Sequence, residues 1–228
     1  MDLNKKNIIA IIPARGGSKG IPRKNIISFL NKPLITHSIE YAKKSTLVHN
    51  VYVSTDDKDI SKVSLDSGAQ VINRPRNLSN DTASTESVLL HALDNIKAKP
   101  DAIILLQPTS PLRPKGSLDK AIKHFFSEKY DSLLSISPTH RFFWQTKNKI
   151  AIPKYDYKNR PRRQDIGLNE ISYVENGSLY ISSYDNLISN ENRLGGNIGF
   201  IIFNEDYSYE IDTPTDLKIL TSIAEDLK

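Results

Sequence analysis

The sequence predicts a three-layer α/β fold whose central sheet is mostly parallel. Two apolar runs, at residues 8–12 and 101–106, are typical of strands buried on both faces of a parallel sheet. A helical apolar pattern at residues 33–44 lies between the first run and a second strand at 50–55, an alternation that is typical of α/β proteins. With 228 residues, we expect a single domain that spans residues 1–228.

The rest of the chain continues this alternation. The pattern predicts a helix beginning near residue 60, strand 70–73, a helix ending at 96, helix 115–128, strand 132–137, strand 177–182, helix 184–189, strand 198–203 and helix 215–227. Asp57 or Asp59 is the expected N-cap of the helix near residue 60, and Asp81 or Thr82 that of the helix ending at 96.

Residues 138–171 interrupt the pattern with aromatic and charged side chains and little helical period. A structureless segment of this length is unusual inside a compact domain. We therefore expect short strands here that protrude from the core.

The segment that follows the first strand combines glycines with cations. Its glycines are Gly16, Gly17 and Gly20, and its cations are Arg15, Lys19, Arg23 and Lys24. Glycine allows a sharp turn and a close approach to a ligand, and backbone N–H groups with Arg and Lys bind polyphosphates. We predict a phosphate site at the carboxyl end of the strand, where α/β sheets bind ligands. Because the P-loop and dinucleotide patterns are absent, a basic surface turn is the alternative.

Composition narrows the class of ligand. The net charge is +5, but outside this loop and residues 160–163 the basic residues are scattered, and the tyrosines do not alternate with them. This pattern favours small anionic ligands and predicts no binding of nucleic acid. No apolar run reaches membrane-spanning length, so we expect no membrane association. The lack of cysteine and an N-terminus that leads directly into the first strand favour a cytoplasmic location.

Two acids near the C-terminus form a candidate metal site. Glu210 and Asp212 are two residues apart, so both carboxylates point to one face if they end a strand. Two hard oxygen ligands, supplemented by nucleotide phosphates, suit Mg²⁺, whereas a solvated strand end is the alternative. Thr213, Pro214 and Asp216 form the pattern of a helix N-terminus, which predicts a structural role for Asp216.

The loop sequence IIPARGGSKGIPRKN resembles the CMP-sialic acid synthetases (acylneuraminate cytidylyltransferases). These enzymes join CTP to a nine-carbon 2-keto acid sugar and release pyrophosphate. Five further motifs follow in the family's order: VSTDD at 53–57, RPRNLSNDTAS at 74–84, LLQPTSPLR at 105–113, NGSLYI at 176–181 and EIDTPTDL at 210–217. The resemblance implies a Rossmann-like nucleotidyltransferase sheet with a small protruding dimerisation excursion at 138–171, and hence a homodimer.

The resemblance also implies roles for particular residues. Catalytic roles fall on Arg15, Lys19, Lys24 and Asp212, and the magnesium ligands would be Glu210 and Asp212. Nucleotide contacts fall on Ala14, Arg15, Gly16, Ser18, Asn25, Arg74, Thr85 and Gln107. Sugar contacts fall on Gln107, Arg162, Arg163 and Asn176. From the residues alone, capping is the alternative for Thr85 and its neighbours, and a solvated basic turn is the alternative for Arg162 and Arg163.

Two departures from the family pattern leave the sugar open. Residues 140–145 lack a lysine associated with the sugar site, and Val174 stands where the family often has Arg. We expect CTP, Mg²⁺ and a sialic, legionaminic or related 2-keto acid sugar. Alternatives are a cytidylyltransferase for 3-deoxy-octulosonate and a nucleotide-sugar glycosyltransferase of similar fold, for which Asp56 and Asp57 are the only mid-chain metal motif. A non-enzymatic basic binding protein is the third alternative.

Overall fold

A computed structural model describes residues 2–167 and 171–227. The strands are β1 (Ile8–Pro13), β2 (Ser28–Phe29), β3 (Lys32–Pro33), β4 (Asn50–Thr55), β5 (Gln70–Asn73), β6 (Ala102–Leu105), β7 (Ser132–Thr139), β8 (Trp144–Lys147), β9 (Ile150–Pro153), β10 (Ser172–Ser183) and β11 (Ile198–Ile202). The α-helices are α1 (Leu34–Lys43), α2 (Lys58–Asp66), α3 (Thr85–Ile96), α4 (Ser117–Ser127), α5 (Tyr184–Asn190) and α6 (Pro214–Asp226). Short 3₁₀-helices cover Leu3–Lys5, Lys24–Ile26, Arg76–Leu78, Arg163–Asp165 and Glu205–Tyr207.

The central sheet has seven strands in the order β11-β7-β10-β6-β1-β4-β5. β1 pairs in parallel with β4 and β6, with Ile9 opposite Asn50 and Ile8 opposite Ala102. Among the described strands of this sheet, only β10 runs antiparallel, and it pairs with β6 on one side and β7 on the other. The predicted, mostly parallel α/β sheet is therefore confirmed.

Successive residues of β1 face opposite sides of the sheet and belong to different cores. Ile8, Ala10 and Ile12 pack with residues of α1, α2 and α4 on one side. Ile9 and Ile11 pack with residues of α3 and α5 on the other side. Since both faces of the strand are buried, an unbroken apolar run is the sequence that this position requires. The result is a three-layer arrangement of helices, sheet and helices.

Helix N-termini agree with the sequence in two cases and differ in one. Asp57 caps α2, accepting hydrogen bonds from the N–H groups of Asp59 and Ile60. Thr213 begins α6 with a complete capping box. The prediction of Asp81 or Thr82 as the cap of α3 was wrong, because Ser84 has that role and its hydroxyl accepts from the Ser87 N–H. Several polar residues stood in a row before this helix, and sequence alone did not choose among them.

The interrupted segment at 138–171, of which residues 168–170 lie outside the described ranges, contains the expected short strands. β8 and β9 form a two-stranded hairpin that lies outside the central sheet. Its large side chains are exposed, including Trp144 at 51% and Ile150 at 66%. None of the helices in the described ranges is both long and apolar enough to cross a membrane.

Candidate nucleotide site

The loop after β1 is held against the neighbouring parallel strand. The Ala14 N–H donates to the carbonyl of Ser54 at 2.9 Å, and the Asn25 amide donates to the carbonyl of Arg15, also at 2.9 Å. The Gly16 N–H donates to Asp56 at 2.9 Å. These bonds fix both ends of the loop, so its cationic side chains project from a defined position at the carboxyl edge of the sheet.

Glycine at position 20 brings this loop against the acidic segment. A Cβ there would overlap with the carbonyl oxygen of Asp212, so the close approach of the two backbones requires glycine. The contact joins residues that are almost two hundred positions apart in sequence. It also explains why the cationic loop and the acidic segment form one site.

A cavity of about 450 Å³ opens between the cationic loop, the N-terminus of α3 and the segment that follows β6. Among the predicted site residues, its walls include Arg15, Ser18, Lys19, Lys24, Asn25, Thr85, Gln107 and Asp212. Pro13, Gly20, Pro108 and Thr109 complete the lining. The structure thus brings together eight predicted residues from four separate segments of the chain.

Each of the three cations at this cavity has a carboxylate partner. Arg15 and Lys19 both contact Asp81, at 2.8 and 2.7 Å, through different carboxylate oxygens. The hydrogen bond from Lys19 is the main cause that lowers the pKa of Asp81 below its ordinary value. Lys24 contacts Asp212 at 2.8 Å, and its side chain is only 15% exposed. The cations are therefore held in place and balanced by protein anions.

The acidic pair follows β11 in the chain, after a short 3₁₀ turn. Glu210 is half-buried beside Ser110, whose hydroxyl donates to it at 3.3 Å. Burial, followed by the nearby charge of Asp212, raises the pKa of Glu210 above its ordinary value. Asp212 is largely exposed towards the cavity. Lys24 is already paired with Asp212, and a further cation beside the two acids would relieve the repulsion between their carboxylates.

Gly177 places Gln107 and Glu210 next to each other. The backbone of Gly177 has a positive φ of 63°, and a Cβ there would overlap with the Glu210 carboxylate. The same Cβ would lie 2.8 Å from the side-chain oxygen of Gln107. Glu210 and the amide of Gln107 therefore meet beside Gly177 of β10.

The donor set fits a magnesium ion held partly by a nucleotide. Among the residues that the structure describes, no group of three or more acidic or histidine side chains gathers as a metal site. Glu210 and Asp212 would supply only two oxygen ligands or a few more, which leaves the remaining positions to phosphate oxygens and water. Mg²⁺ is usually bound in this way, by one or two carboxylates and substrate phosphates.

Arg74 and Asn176 lie behind the cavity rather than in its lining. Arg74 donates to the carbonyl and hydroxyl oxygens of Ser54, and burial lowers its pKa to about 10. Asn176 is 2% exposed and bonds to Ser135 and Ser137 of β7. Both side chains support the walls of the cavity, because their polar atoms form hydrogen bonds with the protein.

Five other predicted residues are also outside the lining, and one of them is Glu210, which lies against Gly177 and Ser110. Ala14 is buried, and the backbone N–H of Gly16 donates to the Asp56 carboxylate. Arg162 is 75% exposed and pairs with Asp165 at 2.7 Å. Neither it nor Arg163 borders the cavity of its own chain. Their expected contacts with the sugar stay predictions.

Sequence reasoning missed two groups that the fold brings to the site. Asp81 was considered only as a helix cap, although its position in the DTAS motif beside a predicted phosphate site was a usable signal. Arg113 donates to the carbonyl of Gln107 at 2.8 Å, to Ser38 and to the carbonyl of Ser178. No local pattern identifies the partners of Arg113, because they come from three different segments.

Fold and cavity together define an α/β protein with a cation-lined cavity at the carboxyl edge of its sheet. The family model described as Cytidylyltransferase matches residues 9–227. The chain belongs to the cytidylyltransferase family, which is a family of nucleotidyltransferases.

Several relatives are similar over most of the chain. The Post-translational flagellin modification protein B of Campylobacter coli is 32% identical, covering 93% of each chain. The Pseudaminic acid cytidylyltransferase of Campylobacter jejuni is 33% identical, covering 92% of this chain and 93% of the relative. The N-acylneuraminate cytidylyltransferase of Escherichia coli is 30% identical over 96% of this chain, which spans only 52% of that relative.

One solved structure supports the fold. CMP:2-keto-3-deoxy-manno-octonic acid synthetase, complexed with CTP, superposes with a TM-score of 0.73. The match covers 97% of this chain and 100% of the other at 18% identity. The predicted nucleotidyltransferase fold is thereby confirmed.

Proposed function

We propose that this protein transfers CMP from CTP to a nonulosonic, sialic-type 2-keto acid sugar and releases pyrophosphate in a magnesium-dependent reaction. The observation that carries the proposal is the cavity in which Arg15, Lys19 and Lys24 face Asp212 and Gln107. Cations suit a triphosphate, an acid beside them suits its metal ion, and the amide offers hydrogen bonds to a sugar.

The names of the relatives support this substrate class. Two of them are named for pseudaminic acid and N-acylneuraminate, at 33% and 30% identity. Both names denote nine-carbon acid sugars, so we infer a substrate of the same class. A transferase for the eight-carbon 3-deoxy-octulosonate is the alternative, because the structural neighbour is named for that sugar acid.

The chain's own residues perform charge stabilisation and positioning. CTP lies across the carboxyl edge of the sheet, and the anomeric hydroxyl of the sugar attacks the α-phosphorus in line with the leaving pyrophosphate. The bond from the α-phosphorus to the bridging oxygen breaks, and the hydroxyl proton is lost to solvent. Lys24, held by Asp212 at 2.8 Å, stabilises charge at the α-phosphate. Arg15 and Lys19 neutralise the pyrophosphate as it leaves. Phosphoryl-type transfer of this kind requires little covalent chemistry from the protein.

Asp212 and Glu210 would hold the magnesium ion. When bound, the ion supplies Lewis-acid neutralisation of phosphate charge. Asp212 faces the cavity and would be the more direct ligand, whereas Glu210 lies deeper against Gly177 and Ser110. Asp212 is already paired with Lys24, but burial and the charge of Asp212 still raise the pKa of Glu210. A further cation beside the two acids would stabilise their charged forms, which is the structural reason to place the ion here.

The sugar end of the site extends from Gln107. Arg162 and Arg163 carry exposed positive charge outside the cavity of their own chain. In a homodimer formed through the excursion at 138–171, these arginines would reach the partner's sugar and pair with its carboxylate. A planar guanidinium matches a carboxylate in a bidentate way.

Pyrophosphate release tests the proposed function. The protein is incubated with CTP and Mg²⁺ and separately with N-acetylneuraminate, legionaminate, pseudaminate and 3-deoxy-octulosonate. Release with a nonulosonate is expected, and it disappears when EDTA removes the metal ion. Release only with 3-deoxy-octulosonate favours the alternative. No release with any acid sugar, while a nucleotide sugar is consumed instead, supports a glycosyltransferase.

A further inference from the structure

Asp81 occupies the position between two cations that are expected to bind phosphate. Its two carboxylate oxygens contact different partners, with Arg15 at 2.8 Å and Lys19 at 2.7 Å. Both partners line the cavity, whereas Asp81 approaches from the segment that precedes α3. A carboxylate that bridges two cations in this way offers them the same kind of oxygen contacts that a phosphate group does.

The backbone beside Asp81 is shaped to present the side chain. The Asn80 side-chain oxygen accepts hydrogen bonds from the N–H of Thr82 at 3.0 Å and of Ala83 at 2.9 Å. This Asx turn fixes the chain directly after Asp81. Ser84 then caps α3, whose first residue Thr85 lines the cavity. Asp81 is therefore held at the edge of the nucleotide site by local structure on its C-terminal side.

We propose that Asp81 is an internal counter-anion, which holds Arg15 and Lys19 in place in the free protein and is displaced by the phosphates of CTP. The inference rests on the proposed function, since CTP is the ligand that displaces it. One pair of cations cannot make the same short contacts with two anions at once, and Asp81 would repel a triphosphate that stayed nearby. Asp81 thus sets the affinity of the site for polyphosphates.

The exposure of the three side chains is consistent with exchange. Asp81 is 45% exposed, Arg15 31% and Lys19 80%. Ion pairs with this much contact with water contribute little free energy, so an incoming polyphosphate of higher charge displaces the carboxylate without a large cost. When pyrophosphate leaves, the carboxylate returns to the two cations, which limits inhibition by this product.

The test measures binding without turnover. The wild-type protein, Asp81→Asn and Asp59→Asn are titrated by calorimetry with CTP and Mg²⁺, and separately with inorganic pyrophosphate, in the absence of sugar. Asp59 is the matched control, because it is an exposed acid paired at 2.6 Å with Arg23, which does not line the cavity. Asp81→Asn is nearly isosteric and removes one negative charge.

Asp81→Asn is expected to bind both ligands roughly threefold to thirtyfold more tightly, because two exposed ion pairs no longer compete. Asp59→Asn stays within about twofold of the wild type. Unchanged or weaker binding by Asp81→Asn overturns the inference. Asp81→Ser must show the same tightening, and thermal unfolding confirms that both variants are folded.

The outcomes separate this inference from the proposed function. A wild-type protein that binds neither CTP nor pyrophosphate overturns both. A wild-type protein that binds CTP, with Asp81→Asn binding it no more tightly, overturns only the role of Asp81. Activity with an acid sugar is measured independently and does not enter this comparison.

Discussion

Lys24 is the most enclosed of the three cations at the candidate site. Its side chain is 15% exposed, compared with 31% for Arg15 and 80% for Lys19. A charge in a partly dehydrated position interacts more strongly with a ligand than a charge in water does. We therefore expect Lys24 to contribute more to the chemical step than its two neighbours.

Lys24→Ala is expected to lower turnover at saturating CTP by at least about tenfold, equivalent to about 1.4 kcal/mol of transition-state stabilisation. The measurement is initial-rate pyrophosphate release over a range of CTP concentrations. Lys99→Ala is the control, since Lys99 is an exposed lysine paired at 2.7 Å with Asp185 outside the cavity. Equal turnover in the wild type and Lys24→Ala would remove Lys24 from the mechanism.

Glu210 illustrates how a binding site is maintained at a cost in stability. Burial raises its pKa, and the charge of Asp212 raises it further. A carboxyl group with a raised folded-state pKa is less favourable when ionised in the folded protein than in the unfolded chain. The cost is absent below the ordinary value of 4.5 and grows as the pH rises through the folded-state pKa.

Glu210→Gln is therefore expected to raise the unfolding temperature at pH 7 by roughly 1–3 °C and to leave it unchanged near pH 4. The same variant should lose magnesium-dependent activity. Thermal unfolding of the metal-free protein as a function of pH checks the first part. A lower unfolding temperature at pH 7 would show that the carboxylate stabilises the fold, against this prediction.

At the scale of elements, the start of α6 links helix stability to the acidic pair. The Thr213 hydroxyl accepts from the Asp216 N–H, and the Asp216 carboxylate accepts from the Thr213 N–H at 2.7 Å. The same carboxylate accepts from the Asp212 N–H at 3.0 Å. The cap therefore also orients the backbone that carries the candidate metal ligand.

Thr213→Ala is expected to destabilise the protein by about 1 kcal/mol, because one N-cap acceptor is lost. For a chain of this length, that change lowers the unfolding temperature by about 2–4 °C. Thr215→Ala is the matched control, since it makes the same chemical change at an exposed position in the first turn of α6. If both variants unfold at the wild-type temperature, the capping box contributes nothing measurable.

Much of the fold could be predicted at this scale because its strands are buried on both faces. The apolar runs of β1 and β6 identify buried strands without reference to the rest of the chain. The antiparallel direction of β10 could not be predicted, because direction depends on connections that no local pattern encodes. Its length was also underestimated, at 177–182 against Ser172–Ser183, since its first residues, Ser172 to Glu175, mix polar and apolar side chains and pair with the last residues of β7.

The candidate site was predictable where the chemistry is continuous in sequence. The charges and glycines of the loop from Arg15 to Lys24 are visible in the sequence, and three of its four cations line the cavity. The interactions of Arg74 and Asn176 were not predictable, because their partners lie on β4 and β7. A polar side chain near a site in sequence can point at the ligand or at the wall, and only tertiary packing decides between them.

At the scale of the whole molecule, the exposed hairpin is the feature that a single chain leaves unexplained. Trp144 and Tyr155 pack edge to face, and Arg160 lies 4.5 Å from the ring of Phe142. Trp144 and Ile150 are still more than half exposed. Exposed apolar clusters of this kind often mark protein–protein interfaces. This arrangement supports the proposed homodimer.

Mixed dimers test whether the arginines of the excursion act on the partner's site. In the proposed homodimer, Lys24→Ala disables a subunit's own site, whereas the double variant Arg162→Ala, Arg163→Ala disables the partner's site. A dimer that contains one subunit of each variant has one site with both defects and one intact site. An equal mixture, denatured and refolded together, should regain about a quarter of wild-type activity.

The matched control mixes Lys24→Ala with Lys19→Ala, because both changes lie in the loop of the same subunit and no mixed dimer then has an intact site. Recovery in the first mixture and none in the second would show that the arginines complete the partner's site. Equal failure of both mixtures, with sedimentation confirming mixed dimers, would place Arg162 and Arg163 at their own subunit's site. A double variant that is fully active by itself would place them at neither site. If the wild-type protein is a monomer, the exposed hairpin does not form a homodimer interface. Arg162 and Arg163 then cannot complete the site of a second subunit.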